Sequence, residues 1–467
     1  MGNWIPLGGD GFASLHELSI IRCPQLVGQL PNHLPKATKV VIHGCGKLEV
    51  SVLNCPRLRM IVIEGCKRME WGSPVDFGLP NSIILSKISD FSFVTTKLMR
   101  GLSKVEYLKI VGCQELTKLW EKIPLGLQRL TFLRELYIED CSTVVSFPLS
   151  GFASMLKVIR IRNCSRLKSL LLGGMMLTSK ELVRLSSRGN LPTALKHLEI
   201  HSCPMLESIA EWLHHNTTLE CMKILNCYSL KFLPQGLRRL CQLRQIQIYR
   251  CPNISYFPEE GLPADLRVLR LYNCKKLMAL PNCMNSLTSL RELEIRCCPE
   301  IQSFSEGGLP TNLKTLVLED LKIYKPMFEW GLQRLTSLVK LSIHGGYPDL
   351  VSFPVDKKNG TMMLPASLSI LSIAHFPNLE HLSSKGLESL TSLNQLKISS
   401  CPKIISLPKE GLPPSLLQLD INSCPLLSER CRRDRQELSK IAHIPCVVVD
   451  NRFIHDLELK LCISDFF

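Results

Sequence analysis

No apolar run in this chain of 467 residues approaches the roughly 18 needed to cross a bilayer, so no membrane span is expected. The opening residues, MGNWIPLGGDGF, have neither a basic n-region nor an apolar h-region, so no secretory signal is read. Position 6 is Pro rather than Ser or Thr, which breaks a myristoylation pattern at Gly2. No G-x-x-x-x-G-K-[ST] loop is present to cradle phosphates, and no coiled-coil heptad run. G-x-S-x-G and H-E-x-x-H are absent too, and no enzyme is expected. The C-x-x-C pair set of a tetrahedral zinc site is also missing. Cys297-Cys298 and His214-His215 are isolated pairs, and no metal site is read from them.

What is present is the make-up of a folded chain: 45% apolar and 21% charged residues. At this length one compact core no longer suffices, leaving two or three domains or an elongated repeat array. The net charge of +15 raises nucleic acid as a partner. The basic residues are scattered, however, and the densest cluster, Arg430 to Arg435, is short and accompanied by no nucleic-acid module. A solvated basic surface and no nucleic-acid partner is the expectation.

The 21 cysteines are organised. The phrase L-x-x-L-x-L/I-x-x-C-x-x-L recurs, as in Leu266/Leu269/Leu271/Cys274/Leu277. It holds Cys23, Cys45, Cys66, Cys113, Cys141, Cys164, Cys203, Cys227, Cys251, Cys274, Cys298, Cys401 and Cys424 in one register. Weaker copies place Phe91, Leu321, Gly346 and Phe376 at the same position, giving about 17 units. A period of 20–29 residues with this consensus is a leucine-rich repeat. The expected fold is a strand-dominated solenoid of the α/β type: a horseshoe with a parallel concave sheet and irregular convex returns. Recurrent Leu-Pro pairs such as Leu233-Pro234 and Leu280-Pro281 argue against helical returns. LLLGGMMLTSKELVRLSSRGN, near 170–190, reads as an insertion looping from the array. The thiol at the strand's end is expected to be small, buried and donating to a turn carbonyl. Side chains stacked in parallel give poor disulfide geometry, and a row of free thiols fits a reducing compartment, the cytoplasm.

Alternation along each strand predicts which residues face outward: those four and two before the ladder cysteine. They are Lys109, Tyr137, Glu139, Arg160, Arg162, Glu199, His201, Lys223, Gln247, Tyr249, Arg270, Tyr272, Glu294 and Arg296. Tyr and Arg are frequent binding anchors, so Tyr249, Arg270, Tyr272 and Arg296 form the densest candidate patch for a protein ligand. Strands also favour aromatic residues for their own sake.

The repeats resemble those of plant intracellular disease-resistance receptors of the coiled-coil, nucleotide-binding, leucine-rich-repeat type. The likeness rests on Leu108–Trp120 (LKIVGCQELTKLW), on the links Glu260-Gly-Leu-Pro263, Gly308-Leu-Pro310 and Glu410-Gly-Leu-Pro413, and on Cys424–Pro445. That last stretch is similar to the segment closing the family's final repeat, with Glu437-Leu438 where Asp-Trp is usual. The resemblance implies a recognition region binding a pathogen effector or guarded host protein and contacting the nucleotide-binding domain of the same receptor. ADP/ATP exchange is implied for that domain; no cofactor is expected in this chain, which reads as a fragment. The expected division is 1–430 for the solenoid, 431–450 for a C-terminal cap and 451–467 unassigned. The alternative is the substrate-recognition array of an F-box ubiquitin ligase, which shares the cysteine phrase but calls for more regular helical returns. Sequons at Asn163, Asn216, Asn253 and Asn359 carry no weight without a secretory signal.

Overall fold

The computed structural model describes residues 12–30, 33–52, 55–71, 80–88, 104–113, 130–146, 155–170, 191–209, 213, 218–281, 284–301, 308–321, 331–345, 348–354, 356–357, 360–361 and 363–456. The 171–190 insertion, Phe91, Gly346, residues 114–120 and the tail from 457 lie outside the described residues. The chain divides into two compact units, Met1–Leu243 and Arg244–Phe467.

Each repeat phrase folds as a five-residue strand, because in an extended chain alternate side chains face opposite sides. The first unit holds β1 (Glu17–Ile21), β2 (Lys39–His43), β3 (Met60–Glu64), β4 (Ser82–Ser86), β5 (Tyr107–Val111), β6 (Glu135–Glu139), β7 (Val158–Arg162), β8 (His197–His201) and β9 (Cys221–Leu225). The second holds β10 (Gln245–Tyr249), β11 (Val268–Tyr272), β12 (Glu292–Arg296), β13 (Thr315–Glu319), β14 (Lys340–His344), β15 (Ile370–Ala374), β16 (Gln395–Ser399) and β17 (Gln418–Asn422). Neighbours within each unit pair in parallel with equivalent repeat positions opposed, as Leu136 with Ile159 and Leu269 with Leu293. In β6, Leu136 and Ile138 are buried while Glu135, Tyr137 and Glu139 are half-buried on the other face. Stacking thus gives every repeat's leucines a neighbour to bury against, which a lone unit cannot do.

A left-handed residue follows every one of these strands, from Arg22 (φ 54°) through Asn163 (54°) and Asn273 (55°) to Ser423 (55°). Glycine takes the position at 44, 65, 112 and 345, and Asn or Asp at 140, 163, 226, 273 and 320, the residue types that tolerate this region best. The turn aims the chain inward and frees a backbone donor: Asp140 N–H bonds the Arg162 carbonyl at 3.0 Å, and Asn273 N–H that of Arg296 at 2.8 Å. The next residue is the ladder cysteine. Its S–H donates to the carbonyl two residues back, 3.3 Å at Cys141 and 3.5 Å at Cys251. The same bond recurs at the ladder positions from Cys45 to Cys424. These thiols are buried except Cys23, which no described repeat covers on its outer side. Among the described residues every cysteine is free. Burial pushes the Cys66, Cys113 and Cys141 thiols up to about 12, so they remain protonated donors at neutral pH.

Two details of the sequence reading need correction. In the fourth repeat the ladder residue is Ile88, not Phe91: β4 places Leu85 opposite Ile63 and the left-handed turn at Lys87. Nor is small size a requirement, since Ile88, Leu321 and Phe376 are buried at ladder positions. The irregular returns leave room for bulk where the sequence supplies it. Among the described residues they contain 3-10 turns at Leu237–Arg239, Met284–Ser286 and Leu332–Arg334, and a helical turn at Ser384–Glu388. Gly236 starts the first of these with φ 83°, where a Cβ would run into the Leu213 carbonyl.

Two helices follow the last repeat, α1 (Pro425–Arg433) and α2 (Arg435–Ile441), then β18 (Cys446–Val449), parallel to β17, and antiparallel β19 (Arg452–Asp456). Asp434 caps α2 by accepting from Gln436 N–H at 2.9 Å. Glu437, 1% exposed, accepts from Leu407 N–H at 3.0 Å and Lys440 Nζ at 2.8 Å, and Lys440 also donates to the Leu407 carbonyl at 3.1 Å. These bonds fasten α2 to the return after β16. The basic cluster is largely neutralised: Arg430 pairs with Asp434, Arg432 with Asp450 and Arg433 with Glu429. Among the described residues no helix is long and apolar enough to cross a membrane.

Candidate protein-interaction face

The outward rows of the strands carry the polar and aromatic side chains picked from sequence. In the first unit, Arg160 is the hub. Its guanidinium lies 5.1 Å from the Tyr137 ring centroid, its Nη1 donates to the Tyr137 hydroxyl at 2.6 Å, and its Nε donates to Glu199 at 2.7 Å. Lys223 Nζ reaches the other Glu199 oxygen at 3.3 Å, and Lys109 pairs with Glu139 at 2.8 Å. Burial alone would raise the Glu199 pKa, but the charges of Arg160 and Lys223 outweigh it and hold the carboxyl below its ordinary value. Burial, with Arg162 beside it, lowers the pKa of His201. Tyr107 packs on Tyr137 with ring centroids 5.1 Å apart.

In the second unit the rings of Tyr249 and Tyr272 lie 6.0 Å apart on adjacent strands. Beside them runs a cross-strand ladder of alternating charge. Arg270 Nε pairs with Glu292 at 2.5 Å and lies 3.8 Å from Glu294; Arg296 pairs with Glu294 at 3.5 Å and with Glu319 at 3.1 Å. His344 follows, 3.7 Å from Glu319 and 3.2 Å from Ser372 Oγ. The side chains of this ladder are about one-fifth to one-third exposed, so each pair contributes only about 0.2–1 kcal/mol. Its larger effect is to fix the arginines in place beside the tyrosines.

The predicted residues therefore stand on the strand face opposite the leucines, though Glu199 and Gln247 are buried there, and ion pairs join Arg160, Glu199 and Lys223 in the first unit and Arg270, Glu294 and Arg296 in the second. Two groups went unread in the sequence. One is the third outward row, six before the ladder, which supplies Tyr107, Glu135 and Glu292; the same alternation that picked the other rows would have found it. The other is Glu319 and His344, which sit in repeats whose ladder residue is not cysteine. Cys297, Glu319 and Asp320 bring possible ligand atoms within 4.8 Å of one another, but Glu319 is already paired with Arg296.

No family model matches the chain. A disease resistance protein of Arabidopsis thaliana is 38% identical over 125 residues, which is 27% of this chain and 8% of that protein. Among solved structures, a leucine-rich-repeat protein of Leptospira interrogans is 17% identical with a TM-score of 0.42, covering 94% of this chain and 98% of the other. The effector YopM of Yersinia pestis is 16% identical with a TM-score of 0.41, covering 87% of this chain and 89% of YopM. The chain is a leucine-rich-repeat region that over 125 residues is similar in sequence to a plant disease-resistance protein.

Proposed function

We propose that this chain is the recognition region of a plant innate-immune receptor, non-catalytic itself, binding a pathogen effector or a guarded host protein in the cytoplasm. In the whole receptor it contacts the nucleotide-binding switch domain, where ADP and ATP belong. The observation that carries the reading is the Tyr249–Tyr272 pair on an outward strand row, flanked by arginines held in an ion-pair ladder. Rigid aromatic rings beside pre-ordered guanidiniums bind a protein surface with little entropy left to lose. Tyr137 and Arg160 repeat the arrangement in the first unit. Among the described residues the returns hold single 3-10 turns at 237–239, 284–286 and 332–334, which supports this reading over an F-box ligase array.

The test is Tyr249→Ala with Tyr272→Ala in the full-length receptor. Partner-dependent signalling is expected to be abolished at unchanged protein level; undiminished signalling at normal level refutes the assignment.

A further inference from the structure

The rim just before the strands carries a second charge pattern. Seven residues before the ladder position lies a row of residues whose N–H, within each unit, bonds the carbonyl of the counterpart in the preceding repeat. In the first unit this row begins His16, Thr38, Arg59, Asn81 and continues Glu106, Arg134, Lys157, Lys196, Glu220, the last four linked to their predecessors by backbone bonds of 2.8 Å. From Glu106 on, its two acids pair with two of its three bases: Arg134 with Glu106 at 3.3 Å and Lys196 with Glu220 at 2.6 Å. In the second unit the same row runs Arg244, Arg267, Arg291, Lys314, linked by bonds of 2.8, 2.9 and 2.8 Å. All four side chains are exposed, no acid lies between them in the row, and none forms an ion pair among the described residues. Arg291 is held by two carbonyls, those of Thr288 and Asn312, at 3.4 and 3.1 Å, which leaves its charge uncompensated. The neighbouring Glu292 is taken by Arg270, and Asp265 is the one exposed acid two residues from the row. Beyond Lys314 the row turns neutral, with Val339, Ser369 and Asn394.

We propose that this four-cation stripe is a docking site for an acidic segment of a partner protein. It rests on the recognition reading in one respect, that the partner is a protein. Four strands at about 4.8 Å spacing set the cations over roughly 14 Å. Alternate carboxylates of an extended peptide recur about every 6.7 Å, so three of them cover roughly 13 Å. A single-stranded nucleic acid fits less well. It needs stacking platforms along its path, and the adjoining outward row offers Gln245, Val268, Glu292 and Thr315 instead of rings.

The probe is a fluorescein-labelled decapeptide alternating Glu and Thr, titrated by anisotropy with this chain at 50 mM salt. Arg244→Gln/Arg267→Gln/Arg291→Gln/Lys314→Gln is expected to weaken binding about tenfold or more, the combined worth of several exposed ion pairs. Arg134→Gln/Lys157→Gln/Lys196→Gln is expected to change it less than about twofold, and Tyr249→Ala/Tyr272→Ala to leave it unchanged, which separates this site from the strand-face patch. The charge-reversed Arg244→Glu/Arg267→Glu chain is expected to prefer the Lys-Thr peptide, an arm that stands even if the quadruple variant folds poorly. Binding of the Glu-Thr peptide should fall steeply with salt. No binding of that peptide, equal binding by wild type and a folded quadruple variant, or tighter binding of a ten-residue oligothymidylate overturns the proposal.

Discussion

Raising the pH probes the buried thiol row directly. Cys66, Cys113 and Cys141 are shifted from 9.0 to about 12 by burial, with a neighbouring ladder thiol adding a smaller push in each case. Their folded pKa lies above the unfolded one. The stability they lend is therefore complete below pH 9 and is lost as pH rises from 9 toward 12, where the unfolded chain ionises and the folded chain does not. Each thiol then removes about 1.4 kcal/mol per pH unit in that window, so by pH 10 the three together cost about 4 kcal/mol. That is a large share of a typical folding free energy of about 5–15 kcal/mol. The assay is urea unfolding under a phosphine reductant at pH 8.0, 9.0 and 10.0, followed by far-ultraviolet circular dichroism. Replacing all three by Ala removes their share of the alkaline loss, leaving that of the other raised thiols such as Cys55 and Cys431, while costing about 1 kcal/mol per site at pH 8 from lost apolar burial and a weak S–H bond. If wild type loses no more stability between pH 8 and pH 10 than the triple variant, the thiols do not titrate as buried groups and their ladder role is wrong.

Three further outcomes are expected. Glu437→Ala leaves Lys440, with only 12% of its side chain exposed, uncompensated and the Leu407 N–H without its carboxylate, which should cost about 3 kcal/mol. Hydrogen exchange across α1 and α2 should rise accordingly, and unchanged protection there refutes the fastening role. Gly65→Ala should destabilise by about 1 kcal/mol because φ is +64°, although its Cβ would meet the Gly44 backbone only at an ordinary contact distance of 3.6 Å. Gly46→Ala, where nothing lies within 4 Å and φ is ordinary, should be neutral or slightly stabilising in the same urea titration. His201 and His344 have pKa values lowered chiefly by burial, so their contribution is present above the ordinary histidine value of about 6.5 and is lost as pH falls below it. The urea midpoint should decline from pH 7 to pH 5, and His201→Gln should flatten that decline.

The amino-acid sequence determined the periodic part of this protein. Leucines at fixed offsets can be buried only if the units stack, and strand alternation then dictates which residues face outward, so Tyr249, Arg270 and Tyr272 could be placed before any coordinates. The left-handed turn ahead of each ladder residue was foreshadowed by Gly, Asn and Asp there, but Arg22, Lys87 and Arg250 carry no such mark; the stacked strands impose the turn on them. Tertiary structure alone decided what depends on separation between repeats, which the irregular returns set. The ladder residue of the fourth repeat moved from Phe91 to Ile88 because pairing with β3 fixes the register. Whether a cation is neutralised likewise depends on a residue some twenty positions away: Glu106 satisfies Arg134 across one strand spacing, while Arg267 has Arg244 and Arg291 as its row neighbours.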